Sequence, residues 1–440
     1  MIRTPKKYHA DTGFFVPAGQ NAVLHFAPQK KMDYLIELCG LNGFQLQPDE
    51  HGFCLTVGEV SSFPAVTLCG DEAFAIQATE SSLCLCANSE TGISQGLKWI
   101  AAQLLENDLK LPCCTLQDAP DVDFRAAHLC IFYPEDGTEK ESTEPEDIRR
   151  RLKILSLCGY NYAFLEFWGM FPYEKRPYAC WPNTRYTRKV VQDLIDYAID
   201  DLHITPLPAQ NLTSHAGWSR IISRKHVVLD QRPDLADMWI PGGWCFATEN
   251  PDTQAYLRDL MDDLIKTFRN PPMLHASCDK CFGFGSTEED RTHPADVLFV
   301  NHLCRLNSYL SQKGVRMVMW GDMIYSSMDA LYWKADSRMA DILPKNILIN
   351  IWTHNDVGTP WADVDFFESR GFETVYSPFL NIAGAESMVR ICKQKKSFGM
   401  VQTTWHRPES TLPTVVITGA LCYGSTAPET SDIDRFLARV

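Results

Sequence analysis

The alternation of strand and helix patterns from residue 123 onward constrains the fold more than any other feature of this chain. Short apolar runs with the length of buried strands alternate with segments whose apolar residues recur at helical spacing. The predicted strands are residues 124–132, 160–167, 203–209, 273–277, 315–320, 347–352, 374–377 and 400–405. Eight such units over about 320 residues predict an α/β chain closed into a (β/α)8 TIM barrel. An open doubly wound sheet is the alternative, but no glycine-rich phosphate loop follows any predicted strand.

Helix-start signals support this organisation. Thr143-Glu-Pro-Glu146 has the spacing of a capping box, and Thr187 is placed to cap the next helix. Asn250-Pro251 is typical of a helix start with proline in the first turn. The first 118 residues have a different rhythm, with two short alternating runs followed by one amphipathic helix. We therefore predict a small α+β domain over residues 1–118 and the barrel over residues 119–440, with the junction in segment 111–120.

Composition excludes several classes of function. The net charge of −14 and the isoelectric point of about 5.3 argue against nucleic acid or an anionic membrane as a partner. Sixteen cysteines without an export signal predict reduced thiols and a cytoplasmic location. The Asn211-Leu212-Thr213 sequon is then not expected to carry a glycan. We expect no cofactor and no metal, because Cys278 and Cys281 form a single pair and tetrahedral zinc needs about four ligands.

Carboxylates, histidines and aromatic residues gather at the carboxyl ends of the predicted strands. In TIM barrels this end carries the active site. The candidates are Glu166, Trp168, His215, Asp279, Trp320, Asp322, Trp352, His354, Tyr376, Trp405 and Arg407. Aromatic walls with a few carboxylates suit a sugar ring, which has apolar faces and a hydroxyl rim. Core packing is the alternative for any single tryptophan, and four of them at strand ends make that alternative weaker.

The fourth predicted strand runs into His275-Ala-Ser-Cys-Asp279-Lys280. This segment resembles the His-x-Gly-x-Asp-Glu pattern of glycoside hydrolase family 20, the β-N-acetylhexosaminidases. The run from Glu166 to Glu174 and the segments 206–215, 320–323 and 404–407 resemble the intracellular hexosaminidase D-like branch of that family. The amino-terminal segment is similar to the small domain that precedes the barrel in family 20.

The resemblance implies substrate-assisted retaining hydrolysis of terminal N-acetylglucosamine or N-acetylgalactosamine. In that reaction the substrate acetamide oxygen attacks its own anomeric carbon. The match assigns Asp279 to orient the acetamide, with His215 as its partner, and places Lys280 where the family has its general acid. Arg125 and the remaining strand-end residues become sugar-binding candidates, and His354 or Tyr376 becomes the donor to the acetamide oxygen.

Lysine at position 280 departs from the family pattern in its ability to donate a proton to the leaving group. An ammonium with an ordinary pKa of about 10.4 is a poor proton donor to a sugar leaving group. Ser277 replaces the pattern glycine, and Gly321 and Thr353 are further departures. The acidic segment 288–290 is more typical of a solvated surface, with a displaced acid as the alternative.

Three functions remain open from the sequence. The first is an active β-N-acetylhexosaminidase with an altered acid, and the second is a relative that binds amino sugars without hydrolysing them. The third is a structural barrel, which the crowded strand ends disfavour. The expected partner is an amino-sugar glycan or glycoconjugate fragment, and homo-oligomerisation is left open.

Overall fold

The computed structural model describes residues 1–60, 67–132, 143–182, 184–217, 225–288, 290–325, 335–352, 361–405 and 407–440. The first 118 residues contribute a seven-stranded sheet with the strand order β1-β7-β5-β6-β4-β2-β3. Its strands are β1 Lys7–Phe15, β2 Ala22–Leu24, β3 Phe44–Leu46, β4 Cys54–Val57, β5 Phe74–Ala78, β6 Leu83–Ala87 and β7 Leu111–Asp118. The neighbours β2 and β3 pair in parallel, and the other neighbours pair antiparallel.

The described part of this sheet domain contains the helices α1 Asp33–Leu38 and α2 Glu90–Glu106. The Ser89 side chain caps α2 by accepting from the backbone amides of Thr91 and Gly92. The predicted junction overlaps β7, so the stretch from residue 111 to 118 is a sheet strand. The connection to the barrel is the short stretch that follows, residues 119–123.

Eight parallel strands close into a barrel in the order β10-β11-β12-β13-β14-β15-β8-β9, which confirms the predicted TIM barrel. These strands are β8 Phe124–Ile131, β9 Tyr162–Phe167, β10 Thr205–Ala209, β11 Met273–His275, β12 Arg316–Trp320, β13 Leu348–Trp352, β14 Thr374–Ser377 and β15 Gly399–Thr403. Around and after them lie α3 Pro145–Leu157, α4 Arg188–Asp196, α5 Pro251–Thr267, α6 Ala295–Gln312, α7 Trp361–Glu368, α8 Ile382–Lys395, α9 Leu412–Cys422 and α10 Thr430–Leu437.

The capping predictions have mixed outcomes. Thr187 accepts from the Val190 amide at the start of α4, and Asn250 accepts from two amides at the start of α5, as predicted. The capping box of α3 is shifted by one residue, because Glu144 is the N-cap and pairs with Asp147. The Thr143 hydroxyl instead donates to the Phe132 carbonyl at 2.8 Å. The Thr143 side chain therefore bonds to the residue that follows β8 and does not act as the N-cap of α3.

The barrel interior is apolar near the amino ends of the strands and polar near their carboxyl ends. All eight strands contribute to a separate buried apolar cluster that includes Phe124, Ala126, Phe164, Val318 and Val375. Since side chains alternate between the two faces of a strand, the next inward positions toward the carboxyl ends share this direction. Those positions carry mostly polar or aromatic residues, which are His128, Cys130, Glu166, Asn211, His275, Trp320, Asn350, Ser377, Thr403 and Trp405. The part of the barrel interior nearest the carboxyl ends of the strands is therefore polar, and it forms a polar floor beneath the strand-end loops.

The position of Arg125 corrects the prediction that this residue is a sugar-binding candidate. It is the second residue of β8, outward-facing and 0% exposed, so it lies at the opposite end of the barrel from the predicted site. Its guanidinium makes a bidentate pair with Glu72 of the amino-terminal domain, at 2.7 and 2.9 Å, and donates to the Gly159 carbonyl. Arg125 therefore links the two domains and lies away from the candidate site. In the described part of the chain, no helix is long and apolar enough to cross a membrane.

Candidate active site at the carboxyl ends of the barrel strands

The segment that follows β11 has a strained backbone. Strand β11 ends at His275, two residues earlier than predicted, because Ser277 and Cys278 have φ angles of 60° and 69°. Lys280 also lies in this left-handed region, with φ of 47°. Each such residue costs about 1–2 kcal/mol unless it is glycine, which explains why glycine suits position 277. Strain of this kind is maintained where the surrounding structure holds it, and it clusters at functional sites.

Hydrogen bonds hold this strained loop in place. The Ser277 amide donates to Nδ1 of His275 at 3.1 Å, and Nε2 of His275 pairs with the Asn350 side chain at 3.2 Å. Burial lowers the pKa of His275 to about 3, so its ring stays neutral and can accept from the loop. The Trp244 indole donates to the Lys280 carbonyl at 2.6 Å, and the Ser214 hydroxyl donates to the Asp279 carbonyl.

Asp279 is a buried carboxylate with two cationic or polar partners. Its side chain is 5% exposed, and Oδ2 lies 3.0 Å from the Lys280 ammonium and 3.6 Å from Nε2 of His215. Burial alone would raise the pKa of Asp279, but the Lys280 charge and His215 together lower it well below its ordinary value. Asp279 is therefore ionised across the physiological pH range.

The Lys280 ammonium lies in a ring of acidic and aromatic groups. Burial alone would lower its pKa, but the carboxylates of Asp279 and Asp322 raise the pKa of Lys280 above its ordinary value. The ammonium also lies over the rings of Trp352 and Trp405, at 5.3 and 5.7 Å from their centroids. Lys280 is therefore a charged group at neutral pH and is held by both electrostatic and cation–π contacts.

The loop after β10 places His215 between two indoles. Its ring lies 5.4 Å from that of Trp168 and 4.4 Å from that of Trp244, and its backbone φ is 49°. The proximity of His215 to Asp279 follows the sequence prediction. Trp168 also stacks on Phe132 at 5.7 Å and is 7% exposed, so it is largely packed into the wall.

Glu166 lies deeper, at the polar floor. Its Oε1 accepts from the Asn211 amide at 2.7 Å, and its Oε2 lies 3.0 Å from Nε2 of His128. Sequence reasoning did not find His128 or Asn211. His128 belongs to the same inward period-two row as Ala126, so strand parity was a signal that could have identified it.

The remaining predicted residues differ in their placement. Asp322 is 5% exposed at the end of β12, while Trp320 is 2% exposed and packs beneath Trp405, with ring centroids 5.4 Å apart. Arg407 is exposed at the rim. Tyr376 is a correction, because it faces outward from β14 and pairs with the Ser397 hydroxyl at 2.6 Å, away from the pocket. His354, together with Glu289 of the acidic segment, lies outside the described residues.

Comparisons with known proteins agree with this architecture. The family profile described as "Glycosyl hydrolase family 20, catalytic domain" matches residues 162–383. No significant match was found among curated protein sequences. Three solved structures are similar in fold. The β-N-acetylhexosaminidase from Bacteroides fragilis is 16% identical, with a TM-score of 0.70 over 98% of this chain and 92% of that chain.

The other two are more distant in sequence. The exo β-N-acetylglucosaminidase from Vibrio harveyi in complex with N-acetylglucosamine is 13% identical, with a TM-score of 0.71 over 100% of this chain and 76% of that chain. The N-acetyl-β-hexosaminidase from Streptomyces plicatus is 14% identical, with a TM-score of 0.65 over 99% and 92%. At these identities the likeness concerns the fold.

Proposed function

Because the chain belongs to glycoside hydrolase family 20, we propose that its barrel binds a terminal N-acetylhexosamine of a glycan and supports substrate-assisted retaining hydrolysis. The observation that carries the proposal is Asp279, a buried and ionised carboxylate on a strained loop at the carboxyl end of β11. His215 at 3.6 Å helps to hold it. Trp352 and Trp405 provide the aromatic surfaces that a sugar ring requires.

The reaction needs a carboxylate and no enzyme nucleophile. The substrate acetamide oxygen forms a bond to its own anomeric carbon while the glycosidic bond breaks, and water later opens the oxazolinium ion. Asp279 would accept the acetamide N–H and stabilise the developing positive charge. A carboxylate that is already ionised and fixed requires little reorganisation for this role.

Lys280 limits which substrates can react. At the acid position it is charged, but its raised pKa makes it a weak proton donor to an alkoxide leaving group. We propose that turnover is restricted to substrates whose leaving groups need little protonation.

We also propose a cytoplasmic location, on the ground of the sixteen cysteines in the sequence.

A second candidate function is binding of amino sugars without hydrolysis. The Lys280 ammonium lies 3.0 Å from Oδ2 of Asp279 and therefore competes with the acetamide N–H for that carboxylate. In this case the retained aromatic and polar groups would recognise the sugar, and the ion pair would prevent chemistry.

Hydrolysis of matched glycosides tests both candidates. We would assay aryl and alkyl β-N-acetylglucosaminides and β-N-acetylgalactosaminides with the native chain, Lys280→Glu, Lys280→Gln and Asp279→Asn. We expect the native chain to cleave the aryl substrates much faster than the alkyl substrates. Lys280→Glu should raise kcat on the alkyl substrates by about 100-fold or more, the usual contribution of a general acid. Lys280→Gln is the matched control, because it removes the ammonium without supplying an acid, and Asp279→Asn should abolish turnover.

Two results decide between the candidates. If the native chain and Lys280→Glu both fail on every substrate but bind N-acetylglucosamine saturably by calorimetry, the hydrolase proposal is wrong and the binding function is supported. If folded protein shows neither turnover nor binding, both candidates are refuted.

A further inference from the structure

Beneath the candidate sugar site, three residues bring an imidazole, a thiol and a carboxylate together. His128, Cys130 and Glu166 each offer one ligand atom, and these atoms lie within 4.8 Å of one another. We propose that they bind one divalent cation of the zinc class. This inference does not depend on the proposed hydrolysis, and it departs from the sequence-based expectation that the chain holds no metal.

The distances among the three ligand atoms are close to those around a tetrahedral ion. Nε2 of His128 lies 3.0 Å from Oε2 of Glu166, and Sγ of Cys130 lies 3.5 Å from that oxygen and 3.9 Å from that nitrogen. Zinc bonds of about 2.0–2.3 Å at tetrahedral angles require ligand atoms about 3.3–3.6 Å apart. The Nε2–Oε2 and Sγ–Nε2 separations lie outside this range, and Sγ of Cys130 is 3.7 Å from Nδ1 of the same ring, so metal binding requires the Cys130 side chain to turn toward the lone pair of Nε2.

Strand register explains why these residues meet. His128 and Cys130 are two positions apart on β8, so both face inward. In the parallel ladder between β8 and β9, Cys130 pairs directly with Glu166. The ligands therefore come from two neighbouring strands of a closed barrel, which is a rigid framework for a metal site. A motif search on the sequence could not find this group, because 35 residues separate its two parts.

The surroundings orient the ligands and exclude bulk water. Asn211 donates to the other oxygen of Glu166 at 2.7 Å, which directs Oε2 toward His128. Such outer hydrogen bonds commonly orient metal ligands. The rings of Trp320 and Trp405 lie 6.2 and 5.2 Å from the His128 ring, and the three ligand residues are each at most 2% exposed.

The ligand set also indicates the kind of site. A thiol and an imidazole favour zinc-class ions over magnesium or calcium, which prefer oxygen ligands. Cys130 would bind as a thiolate, with its proton released to solvent. Three protein ligands leave a fourth position, which in such sites is filled by water or a substrate group.

Metal binding by the full-length chain tests the proposal directly, without any glycoside. Protein stripped with a chelator would be titrated with Zn²⁺ or Co²⁺ and assayed by elemental mass spectrometry after gel filtration. We expect one ion per chain and, with Co²⁺, a thiolate-to-metal charge-transfer band. Cys130→Ser should remove that band and weaken binding by about 100-fold. Cys158→Ser is the matched control, because it removes a buried thiol near the opposite end of the barrel.

Two outcomes would overturn the inference. One is native protein that retains far less than one ion per chain at micromolar metal. The other is a bound ion without a charge-transfer band, since this would exclude the Cys130 thiolate even if Cys130→Ser failed to fold. Because neither readout uses turnover, failure here is distinguishable from failure of the proposed function.

Discussion

Replacing Lys280 with methionine tests whether the Asp279 carboxylate depends on the ammonium beside it. Removing one partner of a buried ion pair costs about 3–5 kcal/mol, because the other charge is left buried without compensation. The Lys280 side chain is 31% exposed, and His215 remains near Asp279, so the lower part of this scale applies. We expect Lys280→Met to lower the free energy of unfolding by about 3 kcal/mol at pH 7.

The pH dependence has a definite sign. The folded-state pKa of Asp279 is lowered, so its pair contributes stability that is present above the unfolded pKa of about 3.9 and is lost as pH falls below it. The difference between native protein and Lys280→Met should therefore be largest near neutral pH and shrink below about pH 4.

Urea unfolding followed by tryptophan fluorescence provides the measurement, with Asp279→Asn and the double variant completing a cycle. The matched control is Lys189→Met, which breaks an exposed pair with Asp193 whose side chains are 83% and 53% exposed. That change should cost less than about 0.5 kcal/mol. If Lys280→Met costs no more than the control, or if the cycle is additive, the ion pair does not support Asp279 and this reasoning is refuted.

Three further predictions concern the loop and the domain interface. Ser277→Gly should raise the free energy of unfolding by about 1 kcal/mol, because it removes a left-handed non-glycine residue; an unchanged urea midpoint would contradict this. Burial lowers the pKa of Lys98 to about 7, so between pH 7 and about 10.4 the unfolded chain binds more protons than the folded chain. The free energy of unfolding should therefore rise across this range, by up to about 1.4 kcal/mol per pH unit. Lys98→Met should lack that rise in thermal melts taken across the range. Arg125→Met should cost about 3 kcal/mol, because it removes the guanidinium partner of Glu72, yet leave calorimetric binding of N-acetylglucosamine unchanged. Weaker sugar binding at equal folding would restore Arg125 to the site.

Strand parity and strand end separate the predicted residues that lie together at the candidate site from those that lie elsewhere. Glu166, Trp320 and Asp279 lie at the same end of the barrel because the carboxyl ends of its parallel strands meet there. Tyr376 failed because it lies one position out of the inward register, although it also ends a strand. Arg125 failed because it begins its strand, at the other end of the barrel.

The sequence by itself determined the barrel, because hydrophobic periodicity and strand length are local properties that any eight-unit alternation must express. It also located the Asp279 loop through one short motif. Only the tertiary structure decided which groups meet: the Lys280–Asp279 pair, the strain at Ser277, and the contact of Cys130 with Glu166. The reason is physical, because distances across a closed barrel depend on the register of neighbouring strands, and no local pattern encodes that register.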